Sequence, residues 1–319
     1  MKKTLILLWS LAALVSATNL SAQSTNKNVP LSIFVPEQAE YVPAIAKQAM
    51  DGKLRQIVNM NGMGATDDAG QFLVTCAIAV TDKQITSGAP MKIAQKMDVT
   101  FYVGDSFGQK VFGTTTISVR GVGDNENKAY ISALKQIVPT QPVLKAFIQD
   151  ANTKIITYYN EQADNIIQKA KTLALAKQYE AAFFQLSQIP EACEAAYAKV
   201  LLVANDIFQK YINDQALANL AKAKSIWNAG QNREAAEAAG AYLCLILPDA
   251  TCYPQAEALA QEIKTKIKGD LDFERAMYKI QLEWEHQENT AKIKAWRDVG
   301  VAYGNNQKAV TYNPVWLVR

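Results

Sequence analysis

Histidine is nearly absent: His286 is the only one in 319 residues. A Ser-His-Asp or Cys-His nucleophile system would have to use it, and it sits in a polar helical run, Glu285-His286-Gln287-Glu288. Without a second histidine the common zinc ligand sets do not assemble. No Cys-x-x-Cys occurs among the four cysteines, which excludes the usual dithiol redox motif. No cofactor and no metal is therefore expected. Charge of one sign is also missing. Removal of Lys2 and Lys3 with the leader lowers the formal charge from +3 to +1. That leaves no basic footprint for nucleic acid and no polybasic block for an anionic bilayer.

Long apolar runs are scarce. The one clear run, Leu5–Val15, is eleven residues, short of the roughly 20 a membrane helix needs. It follows Lys2-Lys3 and precedes a small, polar stretch, the three-part pattern of a cleaved secretory signal. Cleavage after Ala22 is the preferred site, with Val15-Ser16-Ala17 as an alternative. A periplasmic or secreted location follows, with no integral membrane segment after cleavage. The first cysteine is Cys76, so a lipid on a new N-terminal cysteine is excluded.

What remains reads in four parts: a flexible leader (23–36), an α+β domain (37–140), a helical repeat domain (141–300) and a tail (301–319). From Glu37 to Met60, Tyr41, Ile45, Ala49, Leu54 and Ile57 recur at helical spacing. The period then becomes two in Phe72–Val80 and again at Met97, Val99, Phe101 and Val103, as in half-buried strands. Asp105–Gly108 reads as a turn and Phe112–Val119 as a third strand. Gly121-Val122-Gly123 reads as a tight turn, with Asp124 or Asn125 capping a helix to about Ile137. This Gly-x-Gly lacks a third glycine and has Asp124 and Glu126 beside it, so it is not read as a phosphate loop. Asp67-Asp68 is too sparse for a calcium loop and reads as a turn. The expected order is α-β-β-β-α.

The stretch Ser118-Val-Arg-Gly-Val-Gly-Asp-Asn-Glu-Asn-Lys-Ala129-Tyr-Ile-Ser-Ala133, in that order of elements, resembles the curli-assembly (CsgG-like) and TolB amino-terminal kind of envelope domain. The resemblance implies docking or assembly in the envelope rather than catalysis. The lipidated cysteine common in such families is absent.

After Pro139 and Pro142 almost everything reads as helix, with breaks near Lys177-Gln178, Pro190, Asn213-Asp214, Gly230, Pro248 and Gly269-Asp270. Ala170–Ala182 matches Ala223–Ala235 at an offset of 53. Both run on to a proline, and the pair resembles a degenerate tetratricopeptide repeat, in which each hairpin hides its apolar face against the next. Asp270–Val299 reads as one long helix that caps the array or is presented to another protein. The fold class expected is α+β: a small α-β-β-β-α domain, then an all-α tetratricopeptide-like array.

Candidate surface residues are the aromatics Tyr158, Tyr159, Tyr179, Phe183, Trp284, Trp296 and Trp316, for which core packing is the competing explanation. Cys76, on the apolar face of a strand, is expected to be a buried thiol. In an up-down array Cys244 and Cys252 share one end while Cys193 lies at the other, so a Cys244–Cys252 disulfide is expected in an oxidising compartment. The leading function is an exported, non-enzymatic envelope scaffold or adaptor, with a protein partner in the envelope or a second copy as its target. The alternatives are a carbohydrate- or peptide-binding module, a carboxylate-dependent hydrolase, and a structural subunit of a larger assembly.

Overall fold

The computed structural model describes residues 28–36, 42–66, 70–267, 296–301 and 303–304. The expected signal, His286, Asp67-Asp68, Trp284 and Trp316 lie outside the described residues. The chain is α+β. Strand β1 (Leu31–Ile33) is followed by helix α1 (Ala44–Met60), β2 (Ala65–Thr66), β3 (Phe72–Thr86), β4 (Lys92–Asp105), β5 (Lys110–Gly123) and α2 (Glu126–Leu134). The sheet order is β2-β1-β3-β4-β5. β1 pairs in parallel with β2 and β3, while β3, β4 and β5 form an antiparallel meander.

Two of these strands depart from expectation. Leu31–Ile33 falls inside the expected leader, yet it lies between two other strands, with Val29 and Leu31 fully buried. Three residues are too few to show a period, which is why β1 is silent in the sequence. β3 runs past Val80, where the apolar alternation stops, to Thr86. Its outer half is held by the ladder and by hydroxyls rather than by burial. Thr81 Oγ1 donates to the Lys96 carbonyl at 3.2 Å, and Thr86 Oγ1 accepts from the Lys92 amide at 3.1 Å.

One sheet face carries Cys76, Ile78, Val99, Phe101, Met97 and Val119 into the core, where Met50, Leu54 and Ile57 of α1 and Tyr130 and Leu134 of α2 cover them. The α1 stripe is Ala46-Met50-Leu54-Ile57-Val58: Leu54 and Ile57 are buried as expected, whereas in the first turns the stripe shifts by one residue to Ala46 and Met50, and Ile45 points to solvent. Gly121 and Gly123 are not a turn but the end of β5. A Cβ on Gly121 would lie 1.9 Å from the Ala129 carbonyl oxygen, and one on Gly123 would lie 2.4 Å from the Ala129 nitrogen. The pair exists so that the α2 backbone can rest on the strand. Asn125 is the cap: its side chain accepts from the Lys128 amide at 2.9 Å.

The rest is helical: α3 (Pro142–Leu175), α4 (Tyr179–Ser187), α5 (Glu194–Gly230), α6 (Arg233–Leu243) and α7 (Tyr253–Lys266). From α3 to α6 long and short helices alternate, so the two matched sequence stretches are the tips of two unequal hairpins. Each tip turns on a residue with left-handed backbone, Lys177 (φ 59°) and Gln231 (φ 48°). The expected break at Asn213-Asp214 is absent, and α5 continues through it. Both side chains reach away from their own backbone instead of competing with it. Asn213 Oδ1 accepts from the Thr251 amide at 2.9 Å, and Asp214 accepts from Tyr179 Oη at 2.7 Å.

The first core does not stop at Pro139–Pro142. It runs from the sheet through α3 and α4 into α5 as far as Ile207. A second core begins at Ile212 and joins the far half of α5 to α6 and α7. Near the C-terminus, the helical residues 296–301 lie against α4. Trp296 is fully buried, and a Cβ on Gly300 would lie 2.6 Å from the Phe183 carbonyl carbon. No helix among the described residues is long and apolar enough to cross a membrane.

Candidate interaction surface

The expected aromatic surface is divided by the fold. Tyr159, Phe183 and Trp296 are core residues, and this corrects their reading as an exposed face. Tyr159 lies on the buried stripe Ile155-Tyr159-Ala163 of α3, and Phe183 faces Tyr211 and Trp296 from α4. Tyr159 Oη donates to the fully buried carboxylate of Asp105, which also accepts from the Phe107 amide at 2.8 Å. Gln71 Nε2 in turn donates to Tyr159 Oη at 2.7 Å. Burial first, then the Asp105 charge, pushes the Tyr159 phenol far above its ordinary range. This network ties the sheet to α3. The sequence shows Asp105 only as a turn residue.

Tyr158 is half-buried, with Lys110 Nζ 3.6 Å from its ring centroid. Tyr179 is half-buried at the α3–α4 tip, and burial and Asp214 push its phenol up to about 12.

Cys244 and Cys252 are thiols rather than a disulfide. Cys252 belongs to the second core with Ala250 and Ala256, whereas Cys244 sits half-exposed at the last turn of α6. Sharing one end of an array does not by itself bring two cysteines within the separation a disulfide needs. Burial pushes the thiol of Cys76 up to about 12 and that of Cys193 up to about 11. Among the described residues no three His, Cys, Asp or Glu side chains cluster as metal ligands.

The surface that sequence reasoning missed is the edge of β5, the last strand of the sheet. In an antiparallel pair, the N–H and C=O of one residue point to the same side, and successive residues alternate. Arg120 marks the side facing away from β4. Its amide donates to Gln136 Oε1 at 3.3 Å and its carbonyl accepts from Gln136 Nε2 at 2.6 Å, so one side-chain amide closes the edge there. The β4–β5 register is unbroken from Gly113 to Gly123, so Thr114, Thr116 and Ser118 present their backbone groups on the same open side. Among the described residues no backbone group bonds them there. The segment Gly113-Thr-Thr-Thr-Ile-Ser-Val119 has no charge and no proline, the two devices that usually protect an edge strand.

A hollow of about 510 Å³ runs beside the first half of this edge, between β5 and α3. Val111 and Val143 line it at 44% and 46% exposure, over Phe147. Asp150 and Lys154 stand at its rim and pair with each other at 2.6 Å. A Cβ on Gly113 would lie 3.1 Å from the Phe147 ring, so this glycine lets α3 approach the strand. Strand edge, exposed valines and helix wall together have the layout of a site for an added strand.

No family model matches the sequence. No curated protein matches it. Among solved structures, the chain is similar to a minor lipoprotein from Acinetobacter baumannii, at 14% identity and a TM-score of 0.27. That likeness covers 39% of this chain and 94% of the other.

Proposed function

We propose that this chain is an exported, non-enzymatic envelope protein that acts as a scaffold or adaptor, taking an extended segment of a partner protein along β5. The uncharged open edge at Thr114, Thr116 and Ser118 carries the reading, because unpaired strand groups next to apolar side chains favour addition of a further strand. The partner segment is β-branched and apolar on the side that meets Val111 and Val143. The leader pattern at Lys2-Lys3 and Leu5–Val15 supports delivery out of the cytoplasm. The helical half extends the same body, so a partner held at β5 stands at a fixed distance from whatever meets α5–α7.

The test is a photo-crosslinking residue in place of Thr114, expressed in intact cells. A discrete product whose partner-side peptide maps to one extended segment supports the reading. Thr116→Pro is expected to abolish that product while the protein stays folded, since the Thr116 N–H is not part of the β4 ladder. Crosslinking only to a second copy of the chain, or a product unchanged by Thr116→Pro, overturns it.

A further inference from the structure

At the α3–α4 tip a second hollow, of about 420 Å³, lies between Tyr179, Tyr211 and Tyr303. Small-ligand sites span about 300–1,000 Å³. All three rings are half-buried and each is locked by another aromatic behind or beside it. Tyr211 packs edge-on to Tyr179 at 5.7 Å and lies nearly parallel to Phe208 at 6.1 Å, while Tyr303 leans on Phe184 at 6.2 Å. Tyr179 is further fixed by its bond to Asp214. The rim is polar and exposed: Gln178, Glu180 and Gln215. The nearest cation, Lys177, is already paired with Asp214 at 3.0 Å.

We infer that this hollow binds a neutral saccharide. Each part of the wall has a counterpart in a sugar ring. The apolar C–H face of a pyranose lies against an aromatic face, while its hydroxyls need donors and acceptors spaced around the edge. Tyrosine supplies both the carbon face and a polar tip. Gln178 and Gln215 both donate and accept, and Glu180 accepts. An anion is disfavoured because Glu180 repels it and Lys177 is occupied. A lipid or other wholly apolar ligand is disfavoured because the rim would be buried unsatisfied. The rings are held before any ligand arrives, so little ordering entropy opposes binding. The site lies on the helical half and does not depend on the β5 edge.

The experiment is saturation-transfer NMR on the full mature chain, with trisaccharides of glucose and of N-acetylglucosamine as separate probes and inorganic phosphate as a competitor. At least one trisaccharide is expected to receive saturation on its ring C–H protons, undisturbed by phosphate. Gln215→Ala removes an exposed rim side chain and is expected to weaken binding about 3- to 10-fold with an unchanged melting temperature. Tyr211→Leu keeps apolar bulk behind the hollow but removes the ring face, and is expected to abolish transfer. Thr116→Pro is expected to leave binding unchanged. Absence of transfer to either trisaccharide, displacement by phosphate, or binding indifferent to both Gln215→Ala and Tyr211→Leu overturns the inference.

Discussion

The first core is built from branched and aromatic side chains: Phe72, Phe101, Phe112, Tyr130, Phe147 and Phe183 among valines, leucines and isoleucines. The second is half alanine, with Ala216, Ala223, Ala235, Ala236 and Ala239 bringing α5 and α6 together. Alanine lets helices approach closely, but it hides little apolar surface, and the hydrophobic contribution scales with that surface, at about 25 cal/mol per Å². The second core therefore leans on one large side chain, Trp227. The comparison places the weak end of the molecule at α6–α7 and the strong end at the sheet. A single helix, α5, belongs to both, with Phe208 packed against each.

Trp227→Ala should give the largest effect. The side chain is fully buried, its Nε1 donates to Glu262 at 2.9 Å, and Lys266 Nζ stands 5.8 Å from the ring. Loss of a buried tryptophan costs about 3–5 kcal/mol. The expected outcome by hydrogen exchange is loss of amide protection in α6, α7 and the end of α5, with the amides of β3–β5 unchanged. Equal loss in the sheet would mean that the two cores unfold as one unit and the contrast has no energetic meaning.

Tyr159→Phe strikes the other side of the comparison. It keeps the ring but removes one of the two donors that Asp105 has, and the partner of Gln71 as well. A buried acceptor left short costs about 1–3 kcal/mol. The urea midpoint of the sheet should fall, with α6–α7 unmoved. The phenol is pushed up on folding, so its contribution is whole below the ordinary phenol value of 10.0 and is lost as pH rises beyond it. Alkaline destabilisation of the sheet that is weaker in Tyr159→Phe than in the wild type checks the sign, the remainder belonging to the other raised phenols and thiols.

How much of this was legible in the sequence follows from which forces leave a period. β4 and the α3 stripe bury one face each and their alternation shows directly, whereas β3 does so only beyond Cys76, because Leu73 and Thr75 are buried on its other face as well. The left-handed tips at Lys177 and Gln231 fall where helix-breaking signals stand. What stayed hidden depends on contacts distant in sequence. α5 runs through Asn213-Asp214 because Thr251 and Tyr179 bond those side chains, and no local rule contains that information. The open edge of β5 was invisible for the same reason, since an edge is a property of sheet order. Gly121 and Gly123 were seen, but as a turn, because a glycine that admits a helix backbone reads like one that bends the chain.

The hairpin tips allow a smaller test of the same contrast. A non-glycine residue in left-handed backbone costs roughly 1–2 kcal/mol, of which glycine recovers part at the expense of greater freedom when unfolded. Lys177→Gly should stabilise by about 1 kcal/mol or less, because the ion pair it loses is exposed on the lysine side. Gln231→Gly should gain less, since Gln231 Oε1 also accepts from Lys266 Nζ at 2.8 Å and so links α7 to the tip. Thermal melts of the two variants rank them. A larger gain at Gln231 would show that the α7 link contributes nothing to the second core.

The smallest expected effect lies at the polar end of the first core. Asp124 follows β5 directly and accepts from Lys92 of β4 and, at 2.9 Å, from Lys128 of α2. Those two lysines lower its carboxyl from the ordinary 3.8 to about 2. A carboxyl depressed on folding stabilises above its unfolded value, and that contribution is lost as pH falls through the folded one. The loss should therefore fall between 3.8 and about 2, and it should shrink as salt screens an exposed cluster. Asp124→Asn is expected to flatten the acid limb of sheet protection over that interval and leave α6–α7 untouched, because no residue of the second core faces this carboxylate. An acid limb that stays steep in Asp124→Asn would assign the sheet's acid sensitivity to a different carboxylate.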